Sequence, residues 1–421
     1  MSSPTPDDVV RSRLGLSGGK DRVVLVAALG ILSAVSPMAT DMYLASMPAM
    51  AGYYGASASA VQLTLTTYMV GMALGQFLLG PVSDVLGRHR LMVAGNVLFL
   101  LSSVAVVLAP TIGTVMVLRA VQGAAGAAGV VIARAVVSDI ATGRQAAKLF
   151  SILATITSLA PVVAPLLGGV IATVAPWQTV FWVLAGFGLL MLACSVLVVP
   201  ETLPRHERHR GGVGAVVAGS WRVLRTPSFM AYALTFGLVF GSLFSYISAS
   251  SFVVQNVLGY SALGYSAVFA VNAGGSILGA VVNTRLVDSV EPGTILRAAV
   301  VVMCTVNLLG LGLILVGITG WTTLAHLFVG QSCIGFTMGN AVALAQSRVP
   351  GRAGAGSAVL GLVQFLMGGL VSPLTGLAGQ HTAVPMAVSM AVCSVLALVA
   401  VLLARRLSGG PPAGRGPLTA A

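Results

Sequence analysis

Two side chains in this sequence sit where water does not normally solvate an ion. Asp41 falls within an apolar run over residues 23–46, and Arg119 within another over 112–136. Burying an ionisable group in hydrocarbon costs at least about 2.5–3.5 kcal/mol, so each residue needs a reason to be there. An embedded carboxylate beside a guanidinium can do proton chemistry. The cation favours the carboxylate, desolvation opposes it, and a group poised between the two can take up and release a proton. At a rise of about 1.5 Å per residue, both residues fall in the outer half of their runs and can pair across a cavity. Gln122 follows Arg119 by one turn and shares its face. No other acid lies inside an apolar run, so proton coupling is expected to rest on Asp41 with Arg119. A static ion pair, or a carboxylate wetted at the outer rim, is the competing reading.

A second cluster, Gly80-Pro-Val-Ser-Asp84-Val-Leu-Gly87-Arg88-His-Arg90, combines turn glycines with charges placed for ion pairing. The remaining candidates for chemistry are sparse. His326 stands alone in an apolar run, and His89, His206, His209 and His381 fall in turns without metal-ligand spacing, so no metal site or catalytic residue is expected. Cys194, Cys304, Cys333 and Cys393 lie in apolar runs without a CxxC spacing and read as small packing residues.

The elements that must carry these residues follow from composition. The chain has 421 residues, 57% hydrophobic and 8% charged, against about 25% charged in soluble proteins. That excludes a soluble enzyme, a nucleic-acid-binding domain and a disordered chain. Continuous apolar runs also exclude an outer-membrane barrel, whose strands alternate. The fold class is an all-α membrane protein. With about 20 residues per crossing, twelve spans are predicted over 23–46, 59–82, 91–110, 112–136, 147–173, 178–199, 229–256, 263–287, 295–318, 322–346, 354–378 and 382–404. This count places 21 of the 22 Lys and Arg residues on one face; the exception is Arg119. Opposite loops such as Pro48–Ala58 and Gly376–Ala383 hold none. The basic face is therefore expected to be cytoplasmic, with both termini on it.

The polar stretch near 200–228 divides six spans from six. The expected organisation is an N-terminal tail (1–21), a six-helix bundle (22–199), a cytoplasmic linker (200–228), a second bundle (229–404) and a C-terminal tail (405–421). Ala164-Pro165-Leu-Leu-Gly168 in span 5 has a counterpart in Ser372-Pro373-Leu-Thr-Gly376 of span 11. Gly80…Asp84 is likewise echoed by Gly279…Asn283. Paired halves around a cavity are the usual plan of secondary transporters.

Gly80–Arg90 resembles the signature 2–3 loop of the major facilitator superfamily, G-x-x-x-D-x-x-G-R-x-R. The resemblance implies two six-helix bundles and alternating access, with Gly80, Asp84, Gly87 and Arg88 latching the halves in one conformation. Arg134 and Asp139 at the end of span 4 resemble the partners of that latch. Leu118-Arg119-Ala-Val-Gln122-Gly123 is similar to the span-4 motif of proton-driven members. Span 5, with Pro161, Pro165, Gly168 and Gly169, resembles the antiporter motif, with Ala at its two leading Gly positions. Thr40-Asp41-Met-Tyr43-Leu44 and Pro200-Glu201-Thr202-Leu203 resemble the bicyclomycin-resistance (Bcr/CflA) branch of the drug:proton antiporters.

What the resemblance implies is export of small lipophilic drugs or antibiotics across a bacterial cell membrane, driven by the proton gradient without a cofactor. The partners expected are the small-molecule substrate, protons and the lipid bilayer, with no nucleic acid and a monomeric chain. Substrate contacts are expected from Tyr43, Gln62, Tyr68, Gln122, Tyr232, Tyr246, Asn272, Gln331 and Gln364, residue types that serve equally as interhelical hydrogen-bond partners. The rivals are an exporter of one endogenous metabolite, a proton-coupled importer and a membrane receptor.

Overall fold

Inside hydrocarbon an apolar run can satisfy its backbone polar groups only as a helix or a closed barrel. In the computed structural model, which describes residues 19–141, 143–204, 208, 221–350 and 352–408, the runs form twelve helices long and apolar enough to cross a membrane. They are α1 (Val23–Tyr54), α2 (Ala58–Leu86), α3 (Arg88–Val107), α4 (Ile112–Ile140), α5 (Lys148–Val174), α6 (Gln178–Leu197), α7 (Pro227–Val257), α8 (Ala262–Leu286), α9 (Pro292–Leu315), α10 (Trp321–Gln346), α11 (Gly354–Gly376) and α12 (Val384–Leu407). Every regular element among the described residues is helical. The expected tails and most of the linker fall outside the described residues.

The helices run further than the apolar runs suggest. The loop expected at Pro48–Ala58 is helical through Tyr54, because a proline at the start of a helical segment loses no hydrogen bond. The 2–3 "loop" is a single residue. α2 continues to Leu86 and α3 begins at Arg88, with Gly87 between them at φ +98°, a backbone angle that favours glycine. Asp84 and Asp139 therefore sit in the last turns of helices.

The two halves meet through α2 against α11 and α5 against α8, and they meet unevenly along their length. One hydrophobic core runs from Leu25 through α4 into the late part of α7 (Tyr246, Phe252, Val254) and the early part of α8 (Tyr265, Phe269). A second core is confined to the C-terminal half at the end bearing the α7 start and the α10 terminus (Phe229, Leu296, Ala345). Among the described residues, the hydrogen bonds joining the halves all lie toward the face opposite the α2–α3 turn. Ser59 donates to the Pro373 carbonyl at 2.9 Å, Thr66 to Gly369 at 3.1 Å and the Gln62 amide to Ser248 at 3.2 Å. Ser372 donates to the Gln62 carbonyl at 3.2 Å, and Gln255 to Ala45 at 3.1 Å. Gly376 lets α11 approach the Ser59 backbone, and Gly169 lets α5 approach Ser266 of α8; a side chain at either position would collide. The halves are closed against each other on that face.

Candidate functional site

The site is set by two prolines in α1. A helical proline removes an N–H and pushes away the carbonyl four residues earlier. Pro37 acts on Ser33 and Pro48 on Leu44, and α1 is interrupted at both places. It runs helically to Ser33, restarts over Val35–Asp41, tightens into a 3₁₀ turn over Leu44–Ser46 and resumes at Met47. Asp41 is thus the last residue of a short helical segment with irregular backbone on both sides. Its side chain is buried and accepts from the Thr40 hydroxyl at 2.8 Å. Gly168 of α5 lies against the Met42 carbonyl, where any side chain would collide.

Arg119 of α4 is fully buried. One guanidinium nitrogen donates to the Ala39 carbonyl at 2.9 Å and another to Gln122 Oε1 at 2.6 Å. Its charge lies 4.3 Å from the Tyr68 ring centre and 4.5 Å from that of Tyr43, with Phe181 at 5.8 Å. Such cation–π contacts are worth about 2 kcal/mol or more when desolvated. The bond to Ala39 places a cation at the carbonyl end of the Val35–Asp41 segment, which suits the helix dipole.

The direct Asp41–Arg119 ion pair anticipated from sequence is not formed; Arg119 has no carboxylate within 4.0 Å among the described residues. Its two terminal nitrogens are taken up by the backbone two residues before Asp41 and by Gln122, its Nε has no acceptor, and two aromatic faces hold the plane. Gln122 is occupied by this task, giving its amide to Ser103 at 2.7 Å. Tyr43 is tied to Thr64 at 3.2 Å.

Other expected substrate contacts divide by location. Tyr246 of α7 accepts from Asn272 of α8 at 2.8 Å and stacks on Phe269 at 5.4 Å, and Tyr246 and Tyr265 share one core with Met42 and Tyr43. Gln62 belongs to the closed face between the halves. Tyr232 packs in the second core beneath Arg348, 5.7 Å from its ring centre, away from Asp41. Gln331 is buried in α10, its carbonyl taking the Ser276 hydroxyl at 2.7 Å. Gln364 is half-buried on α11.

At the α2–α3 turn, Arg88 pairs with Asp84 at 2.7 Å and Asp139 at 3.2 Å and also donates to Ser83. Sequence reading missed Glu201 and Thr202 as parts of this cluster. Glu201 accepts the Arg88 backbone N–H at 2.9 Å and pairs with Arg208 at 3.2 Å, and Thr202 donates to Asp139 at 2.7 Å. Their signal was position: the Pro200–Leu203 segment directly follows α6. Two expectations need correction. Arg134 is exposed and makes no ion pair among the described residues, because Asp139 lies five positions further along α4 and so on another face. The cluster also does not bridge the halves here; each described partner belongs to the first half or the segment just after it. Gly80 has only Val131 near it, so it imposes no close approach. Pro161 and Pro165 are carried within an α5 that stays helical.

A model of the Major Facilitator Superfamily matches residues 29–373 of this chain. The chain belongs to that superfamily. An uncharacterized MFS-type transporter of Bacillus subtilis is 38% identical over 384 residues, 91% of this chain and 95% of that protein. A bicyclomycin resistance protein homolog of Haemophilus influenzae is 31% identical over 386 residues, 90% of this chain and 96% of that one. Among solved structures, a bacterial homolog of the human lysosomal transporter Spinster, inward-facing and unoccupied, superposes with a TM-score of 0.73 at 17% identity, covering 93% of this chain and 98% of that one. That likeness concerns the fold. The superfamily assignment makes this chain a multi-pass membrane transporter of small molecules, not an enzyme.

Proposed function

We propose that this transporter exports small lipophilic compounds in exchange for protons, with Asp41 as the proton site. The observation that carries the reading is the bond from the Arg119 guanidinium to the Ala39 carbonyl, two residues before Asp41. It ties the fully buried Arg119 to the helical segment that ends in Asp41. A change of charge on that carboxylate acts on a guanidinium already gripping its own backbone. Because α1 is broken on either side, the segment can move as a unit. Beyond it, the Leu44–Ser46 turn and the Met47–Tyr54 helix pack on α7, so movement reaches the contact between the halves.

In the proposed cycle the basic face is cytoplasmic, which the distribution of Lys and Arg supports. The closed opposite face then makes the present conformation inward-facing. Asp41 takes a proton when facing out and gives it up facing in, as substrate enters. Exchange of one proton for a neutral compound moves net charge. Both gradients drive it, by about 2.3 kcal/mol per 100 mV and about 1.36 kcal/mol per pH unit. The rings of Tyr246, Phe269 and Tyr265 pack on one another in the core between the halves, an apolar surrounding with few polar anchors, which suits lipophilic neutral or singly charged compounds. The name of the Haemophilus influenzae relative points the same way.

Dye efflux from energised cells tests this, wild type beside Asp41→Asn. Wild-type efflux is expected to collapse with a protonophore and to be absent in Asp41→Asn. Efflux that persists in Asp41→Asn overturns the proton role.

A further inference from the structure

The grip of Arg119 depends on which way round the Gln122 amide sits. Its oxygen faces the guanidinium at 2.6 Å, so its NH₂ must find an acceptor elsewhere in a fully buried setting. Ser103 of α3 supplies it. The Ser103 hydroxyl, itself fully buried, donates to the Phe99 carbonyl at 2.7 Å and accepts the Gln122 amide at 2.7 Å. The line therefore has a fixed polarity, from the Phe99 carbonyl through Ser103 and Gln122 to Arg119 and Ala39. A flipped amide would turn NH₂ toward a guanidinium that has only donors.

We infer that Ser103 is a positioning residue for the proton site, setting the orientation of Gln122 and so holding Arg119 on Ala39 and off the Asp41 carboxylate. It touches neither substrate nor proton; it acts through two side chains. Without the hydroxyl, the Gln122 amide loses its acceptor, the polarity of the line is lost, and Arg119 is free to turn toward Asp41. The titratable and charged groups packed around the Asp41 segment are Tyr43 from α1, Tyr68 from α2 and Arg119 from α4, with Tyr246 from α7 and Tyr265 from α8 in the same core. From α5 the neighbour of the adjoining Met42 is Gly168, which has no side chain. Arg119 is the one permanent charge in this set, so its position governs how readily Asp41 takes a proton.

The inference rests on the proton-coupled reading, but its test does not need transport. The infrared C=O band of a protonated carboxylic acid is followed against pH in the purified, reconstituted protein, with the Asp41 contribution defined by its loss in Asp41→Asn. In Ser103→Ala the band is expected to half-develop only at about tenfold higher proton concentration, the size of effect an approaching Arg has on a carboxylate. Ser103→Thr, which keeps the hydroxyl, is expected to restore the wild-type curve. Ser103→Cys, whose thiol is a weak acceptor, should behave like Ser103→Ala and serves in its place if the alanine variant does not fold. Curves for Ala and Cys that overlie wild type overturn the inference. So does a shift that Thr fails to correct. A shifted band in a protein whose wild type shows no protonophore-sensitive efflux would leave Ser103 its role and overturn the exchange reading instead.

Discussion

Among the described residues, every buried charged side chain lies in the first six helices: Asp41, Arg119 and Arg88, the last paired with the partly exposed Asp84 and Asp139. The buried polar groups of the last six helices include no Asp, Glu, Lys or Arg. Where the first half has Asp84, the second has Asn283, whose side-chain oxygen accepts from Asn340 at 2.8 Å. In the core shared with Met42 and Tyr43, the second half contributes Tyr246, which accepts from the Asn272 amide, and Tyr265, paired with the Ser250 hydroxyl. His326, buried in α10, packs against Gly310 of α9 and joins neither set. On the proposed reading, two halves of one plan divide the work. Ionic groups in one half can respond to a proton, while neutral hydrogen bonds and ring faces in the other can be made and broken at little cost.

The closed face shows why low cost matters. Each neutral bond across it is worth about 0.5–1.5 kcal/mol net, so a handful can open in every cycle. Replacing one by a covalent link removes that freedom and gives the largest expected effect. Thr66 and Gly369 are in contact across the halves, and the native cysteines are buried or half-buried. Oxidised Thr66→Cys/Gly369→Cys is expected to stop efflux completely and to recover on reduction. Undiminished efflux from the cross-linked protein would mean that this face never opens and that the halves do not alternate about it.

A smaller but still large effect is expected at Arg119. Removing it as Arg119→Met forfeits two charge-assisted hydrogen bonds at about 1.5–3 kcal/mol each, enough for a hundredfold loss of efflux or more. Arg119→Lys keeps the charge but loses the planar fork and the ring stacking, and is expected to recover only a small part of the activity. Full efflux in Arg119→Lys would show that charge alone suffices and that the bond to Ala39 is incidental.

Much of this could be read from sequence, and the exceptions share a cause. Twelve spans and the pairing of six with six follow from apolar run lengths and the placement of Arg, because bilayer thickness leaves few alternatives. Asp41 and Arg119 stand out because each is costly where it lies. Their arrangement was not legible. Arg119 is held by a main-chain carbonyl, and every residue has one, so Ala39 carries no signal. Gln62 looks the same in sequence whether its amide meets a ligand or, as here, the Ser248 carbonyl. The breaks in α1 were legible in principle, since Pro37 and Pro48 each act four residues upstream, but only when read together with Asp41 lying between them.

The smallest effect gives the sharpest test of the division, because one chemical change can be made in opposite directions. Asp84→Asn removes a charge from the Arg88 cluster, where the pair is 2.7 Å apart and Arg88 is buried while Asp84 is half-exposed. Solvent screening at Asp84 limits the loss, so efflux is expected to fall only a fewfold. Asn283→Asp adds a charge to the neutral pair. Asn340 donates through its NH₂, which a carboxylate oxygen accepts at least as well as an amide oxygen does, and Asn283 is only partly buried. Efflux in Asn283→Asp is therefore expected to stay within about twofold of wild type, since a substitution at a partly exposed site with its hydrogen bond kept costs little. If the two substitutions reduce efflux equally, the second cluster carries as much of the conformational change as the first, and the division into an ionic half and a passive half fails. If only Asp84→Asn is impaired, the carboxylate is needed where a guanidinium lies within reach, and the Asn283–Asn340 pair needs no more than a hydrogen bond.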